Sequence, residues 1–151
     1  MPSDESPPGS VLRLLRWQRL ALYLAGAVLL LTGGLWLLVH YSVGAGAGAL
    51  PHPLEAWSLR LHGLAAFAGL FVLGVLAAGH IPQGWRLSLR QEWPAQRLTG
   101  QLLCALAALL VATGYLLYYF APEGIRPALG WAHAGIGFMM AALVVSHRRG
   151  V

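Results

Sequence analysis

The side chains able to do chemistry in this chain are few, and the telling ones are histidines. His62 and His80 stand eighteen residues apart, and His133 and His147 fourteen apart, each pair bracketing an uncharged apolar stretch. Neutral imidazole is a good metal ligand, and its charge changes near physiological pH. Along an α-helix, eighteen residues at about 100° each make five whole turns and about 27 Å of rise. The rings of His62 and His80 are therefore expected on one face of one helix, near the two surfaces of a bilayer core about 30 Å thick. Fourteen residues give about 21 Å and bring His133 and His147 within roughly 40° of a common face. Between the histidines the first face carries Ala66, Gly69, Leu73 and Leu76, and the second Gly137, Met140 and Val144. A small or apolar face with a histidine near each end could form one wall around two stacked flat cofactors.

The elements that position these rings follow from composition. Of 151 residues, 58% are hydrophobic and 10% charged. These values exclude an ordinary soluble domain and point to an integral membrane protein. Four apolar runs are long enough to cross a bilayer, about Leu20–Val39, Leu61–Ala78, Leu102–Phe120 and Ala128–Ser146. Residues 1–16 are polar or basic at their core and are expected to be disordered, on the cytoplasmic side. Residues 17–150 are expected to form one all-α domain, an up-down-up-down transmembrane four-helix bundle.

The net charge of +5 is a topology signal, not a nucleic-acid one, because every basic residue is an arginine at a span end. Arg13, Arg16, Arg19, Arg86, Arg90, Arg97, Arg148 and Arg149 fall on one side, and only Arg60 and Arg126 on the other. The positive-inside rule then puts both termini in the cytoplasm. The first apolar run reads as a retained span and not as a cleaved signal peptide.

Smaller signals complete the reading. Pro82 is expected to end the second span, with Trp85 and Trp93 in an interfacial belt. Ser42 to Glu55 reads as a flexible connection. Thr32-Gly33 in span one is echoed by Thr113-Gly114 in span three, so the chain looks like two related hairpins. The lone Cys104 reads as a small core residue. His52 reads as a loop residue, and His40 as an interfacial one, part of a quinone pocket or a substitute ligand. No Asp or Glu falls inside the four runs, which disfavours proton pumps and divalent-metal transporters. Walker, zinc-protease and hydrolase motifs are absent.

In such a bundle the second and fourth spans occupy diagonal corners, a gap that suits a haem plane between two axial imidazoles. Pairing by depth joins His62 with His133 in the outer half and His80 with His147 at the inner end. Gly33, Gly69, Gly114 and Gly137 offer room where a macrocycle passes a helix. Arg60 and Arg126 could serve the propionates of the outer haem, and Arg86, Arg148 or Arg149 those of the inner. The blander alternatives are helix packing for the glycines, topology for the arginines, and interfacial capping for the histidines.

The stretches L-H-G-L-A-A-F, G-H-I-P-Q-G-W-R, T-G-Y-L-L-Y-Y, W-A-H-A-G-I-G-F and S-H-R-R-G occur in this order. With them, residues 18–150 resemble the four-helix membrane b-type cytochromes, in particular the bacterial cytochrome b561-like proteins of the DUF4405 kind. The resemblance implies bis-histidine b haems and electron exchange between a quinone or quinol and a periplasmic cytochrome or membrane oxidoreductase. In the bacterial cytochrome b561 pattern one ligand comes from the cytoplasmic start of span one, where this chain has no histidine. The expectation is a membrane di-haem electron carrier, with room for a homodimer. The alternative is a haem-free membrane anchor or assembly subunit.

Overall fold

The computed structural model describes residues 14–90 and 94–149. The segment 1–16 expected to be disordered lies outside them, except for Leu14, Leu15 and Arg16, and so does Trp93. The described chain is helical: α1 (Arg16–Ser42), a single 3-10 turn (Ala45–Ala47), α2 (Pro53–Ala78), α3 (His80–Arg90), α4 (Pro94–Tyr119) and α5 (Arg126–Arg149). Four of these, α1, α2, α4 and α5, are long and apolar enough to cross a membrane. The expected bundle of four spanning helices is therefore the fold, with a fifth, shorter helix inserted between the second and third spans.

The packing is that of two antiparallel hairpins. α1 lies against α2 and α4 against α5, and the hairpins meet along α1 and α5. Tyr41 stacks on Trp131 at 5.3 Å near one end of that seam. At the other end the Arg148 guanidinium lies 4.9 Å from the centre of the Tyr23 ring. Residues 14 and 149 thus stand at one end of the bundle, here called the terminal end, and the α1–α2 and α4–α5 turns at the distal end. The buried apolar residues are small or medium, among them Ala25, Val39, Ala65, Val72 and Leu76. Large side chains such as Leu31, Phe67 and Phe71 point outward. This is the pattern of helices solvated by lipid, where leucine gains nothing by leaving the hydrocarbon and close approach of small residues holds helices together.

Four expectations about the connections are corrected. α2 does not run on through His80: it stops at Ala78, where Gly79 N–H caps Val75 O at 3.2 Å, and the chain turns. His80 opens α3 instead, so the five-turn alignment with His62 does not hold. Pro82 does not end a helix; it sits in the first turn of α3, where its missing N–H has no intrahelical partner to lose. Residues 80–90, read as loop, form an amphipathic helix with Ile81, Trp85 and Leu89 exposed along one side and Arg86 and Arg90 beside them. A tryptophan, aliphatic side chains and arginines on one short helix suit a membrane–water boundary.

The distal α1–α2 connection is the fourth. It is tied down by Glu55, which belongs to the first turn of α2 and is 8% exposed. One carboxylate oxygen accepts from Ala45 N–H at 3.2 Å and His52 N–H at 2.9 Å. The other lies 2.7 Å from His40 Nδ1. His52 is the N-cap of α2, its ring accepting from Leu54 N–H at 3.2 Å ahead of Pro53. On the other hairpin, Arg126 donates to Ala121 O at 2.8 Å and Leu117 O at 3.3 Å, satisfying carbonyls left open at the end of α4. Cys104 is exposed on α4 and faces outward, not into a core.

The turn around Glu55 has no room for a side chain at Gly44, where a Cβ would collide with the Glu55 carboxylate and meet Val39 O at 3.0 Å. Gly44→Val is expected to cost about 1–3 kcal/mol, as overpacking does. Thermal unfolding in detergent checks this: a melting temperature equal to that of the parent chain would contradict the tie.

Candidate cofactor site

Each of the bracketing histidines on the spanning helices is held by a threonine of its own hairpin. His62 Nδ1 lies 3.1 Å from Thr32 Oγ1, and His133 Nδ1 lies 2.8 Å from Thr113 Oγ1. Both hydroxyls also face the carbonyl one turn back in their own helix: Thr32 to Val28 O at 2.6 Å, and Thr113 to Leu109 O at 2.7 Å. A hydroxyl has one proton to donate. With that proton given to the carbonyl, Oγ1 can only accept from the imidazole. Nδ1 must then carry the ring proton, and Nε2 is left as the basic nitrogen. A hydrogen bond from the non-ligating nitrogen is what fixes tautomer and orientation in metal-binding histidines.

The glycine beside each threonine completes the seat. A Cβ on Gly33 would meet His62 Cε1 at 3.3 Å, and one on Gly114 would meet His133 Cε1 at 3.4 Å. Gly69 and Gly137 lie deeper, where a Cβ would touch Leu29 and Leu110 at 3.8 and 3.9 Å. All four glycines thus face side chains of their own hairpin. Gly33 and Gly114 let the imidazole edges close on α1 and α4; Gly69 and Gly137 let a leucine settle between helices.

The two rings so held meet edge-on. His62 and His133 have centroids 6.2 Å apart with planes inclined at 66°, although α2 and α5 do not pack backbone to backbone among the described residues. A metal–imidazole bond is about 2 Å and the ring centre lies about 1 Å beyond the nitrogen, so two imidazoles on opposite sides of one metal have centroids roughly 6 Å apart. Among the described residues, no group of three or more His, Cys, Asp or Glu side chains converges as a metal-binding cluster. Two imidazoles alone are too few to hold a bare ion. They are the right number for a metal that brings its equatorial ligands with it, as haem iron does. On these observations the residues fit a haem at the His62–His133 level.

The terminal end repeats half of this arrangement. His147 Nδ1 lies 2.7 Å from Thr99 Oγ1, and a Cβ on Gly100 would be 4.0 Å from His147 Cε1. Thr99 and Thr113 are fourteen residues apart on α4, as His133 and His147 are on α5, so both ties fall in register across the antiparallel pair. On α1 the position fourteen residues before Thr32 is Gln18, and no such seat is built there. His80, at the start of α3, is half-buried and has no side-chain hydrogen bond among the described residues. Burial holds its imidazole below the usual histidine range, and the nearness of His147 adds to this.

The cationic candidates sit at the helix ends, and three of those described have partners. Arg60 lies 5.2 Å from the centre of the Trp57 ring. Arg126 caps α4. Arg86 is exposed on α3, and Arg148 covers Tyr23. The three threonines were the residues sequence reasoning passed over as ring partners. The signal was present in the dipeptide Thr-Gly, which occurs at 32–33, 99–100 and 113–114 and meets a histidine each time. Comparison with protein-family models, with curated proteins and with solved structures finds no match to this chain.

Replacing Thr113 by Val keeps the shape but removes the acceptor for His133 Nδ1–H. It is expected to cost about 1–3 kcal/mol, the price of a buried donor left unmade, and to release the tautomer. Nitrogen-15 NMR of labelled histidine in the haem-free protein checks this. The parent should show Nδ1 protonated at His62 and His133, and T113V a mixed state at His133 only.

Proposed function

We propose that this chain is a membrane b-type cytochrome that carries electrons across or along the bilayer, with two haems held between the hairpins. The observation that carries the reading is the pair of imidazoles offered by α2 and α5, each with its Nδ1 engaged, whose ring centres lie 6.2 Å apart, a spacing that suits a shared metal. The resemblance to the cytochrome b561-like proteins points the same way. His62 and His133 would hold the distal haem. His80 and His147 would hold the second, at the terminal end.

Bound haem supplies one-electron chemistry, at a potential the protein sets through ligation, hydrogen bonding and burial. The chain's own part is to hold two neutral imidazoles in fixed tautomers, with lipid-facing helices keeping water away. A threonine hydroxyl is a weaker acceptor than a carboxylate, so it orients the ligand while adding little to its basicity. Arg60 and Arg126 at the distal end, and Arg86, Arg148 or Arg149 at the other, are the cations available to propionates. By the positive-inside rule the terminal end would be cytoplasmic, and the resemblance implies a bacterial inner membrane. The electron partners are a quinone or quinol in the lipid and a periplasmic cytochrome or membrane oxidoreductase.

Haem extracted per chain tests the reading. The purified protein should carry two haems. His133→Ala should lose the distal one, while His80→Ala should lose only the terminal one, whose seat lacks a hydrogen-bonded partner on α1. A colourless protein that no added haem converts would sink the proposal and favour a haem-free anchor subunit.

A further inference from the structure

Among the described residues α3 is the one α-helix that does not span the bundle. Its 11 residues make about 16 Å of helix. They follow α2 directly, with Gln83 N–H donating to Gly79 O at 3.3 Å across the junction. The helix therefore begins where a span stops, and it packs against α2 and α4. Helical spacing divides its surface into three strips. His80, Gly84, Leu87 and Ser88 form a sheltered strip; each is buried or half-buried, and Ser88 gives its hydroxyl proton to Trp85 O at 2.9 Å. Ile81, Trp85 and Leu89 form an apolar strip, and all are exposed. Gln83, Arg86 and Arg90 form the third strip, polar and exposed. A sheltered, an apolar and a basic strip side by side suit a helix lying in the plane of a membrane surface.

Charge and position decide what covers the two exposed strips. α3 has no acidic side chain, and the described carboxylates, Glu55 and Glu123, are both at the distal end. Arg16, Arg19, Arg97 and Arg148 stand at the terminal end with Arg86 and Arg90. An apolar strip that starts at the end of a membrane span adjoins hydrocarbon. Arginine beside it meets headgroup phosphate, which the planar guanidinium fork binds through paired N–H groups. A water-soluble acidic partner would pair with the arginines, but it would have to strip lipid from Ile81, Trp85 and Leu89.

The consequence falls on His80. It is the one bracketing histidine without a side-chain hydrogen bond among the described residues, whereas His62, His133 and His147 each meet a threonine. Its place depends on the place of α3. Trp85 is five residues on from His80, about 140° around the helix. A roll of α3 that lifts Trp85 out of lipid therefore swings His80 away from its position near His147. We infer that α3 docks through Ile81, Trp85, Leu89, Arg86 and Arg90 on anionic phospholipid of the terminal leaflet, and that this docking holds His80 towards His147. Lipid thereby does for His80 what the threonines do for the other three rings. The docking stands on α3 alone; its consequence for a haem rests on the proposed function.

The test places the full chain in nanodiscs of phosphatidylcholine, with or without one-third phosphatidylglycerol, and follows amide hydrogen exchange over residues 80–90. Phosphatidylglycerol should slow exchange there by at least about ten-fold, the order expected of two arginines at an anionic surface. Arg86→Gln combined with Arg90→Gln should abolish the effect, with the arginines of α1, α4 and α5 still present to set the topology. Equal exchange in the two lipids, or an effect that survives both substitutions, would overturn the docking whatever the haem content. Inorganic phosphate added to phosphatidylcholine discs should give no protection; protection by phosphate alone would mean an anion site and refute the bilayer as partner. A crosslink reads the hold on His80 without haem. With Cys104→Ser as background, His80→Cys and His147→Cys together should oxidise to a disulfide several-fold faster in the phosphatidylglycerol discs. Equal rates in the two lipids would refute the hold, and neither result depends on whether the protein proves coloured.

Discussion

The structure depends on one small interaction made more than once: a threonine hydroxyl that gives its proton to its own helix and takes one from a histidine on the neighbouring helix. In water such a bond contributes about 1 kcal/mol. In the membrane its value is directional. An imidazole inside hydrocarbon needs a partner for its N–H, and the partner's position decides which nitrogen remains basic and where the ring can lie. Thr32 and Thr113 make that decision for His62 and His133. The adjoining glycines let α1 and α4 approach closely enough for the bond to form.

The rest of the architecture serves this arrangement. Lipid removes the drive to bury leucine, so the hairpins are held by small residues and by polar ties, and the large apolar side chains face outward. α1 and α5 carry the contact between hairpins, and α2 and α5 stand apart except where their imidazoles meet edge-on. The distal end is closed by Glu55 and Arg126, each satisfying backbone groups that a chain entering or leaving a membrane helix must not leave unpaired. The terminal end is less symmetrical. Its α4–α5 half repeats the threonine seat, and its α1–α2 half replaces the seat with a turn and a surface helix.

Much of this was legible in the sequence. Apolar runs bounded by arginines gave four spans, because charge and hydropathy act on every residue of a span alike. The depth match of His62 with His133 followed from counting residues from the span ends. The exchange of roles at His80 was not legible. Helical periodicity carries the count past Gly79 without interruption, and the stop is made by a backbone turn that no residue type there enforces; Pro82, the visible breaker, falls inside the next helix. Glu55 was misjudged for a related reason: hydropathy starts the second span at Leu61, whereas the helix starts at Pro53, stabilised by bonds from a glycine-rich turn with no periodic signal. The threonine ties sat between the two, visible as a repeated dipeptide but without meaning until the helices were paired.

The central proposal is that the imidazoles of His62 and His133 would together hold one haem iron. Low-temperature electron paramagnetic resonance of the oxidised, purified protein tests it most directly. Two haems, each with two strong-field imidazole ligands, predict two low-spin ferric signals, of which the distal haem's disappears and the terminal haem's remains when His62 is replaced by alanine. A high-spin ferric signal in the parent protein, or low-spin signals that are both indifferent to that replacement, would contradict the account.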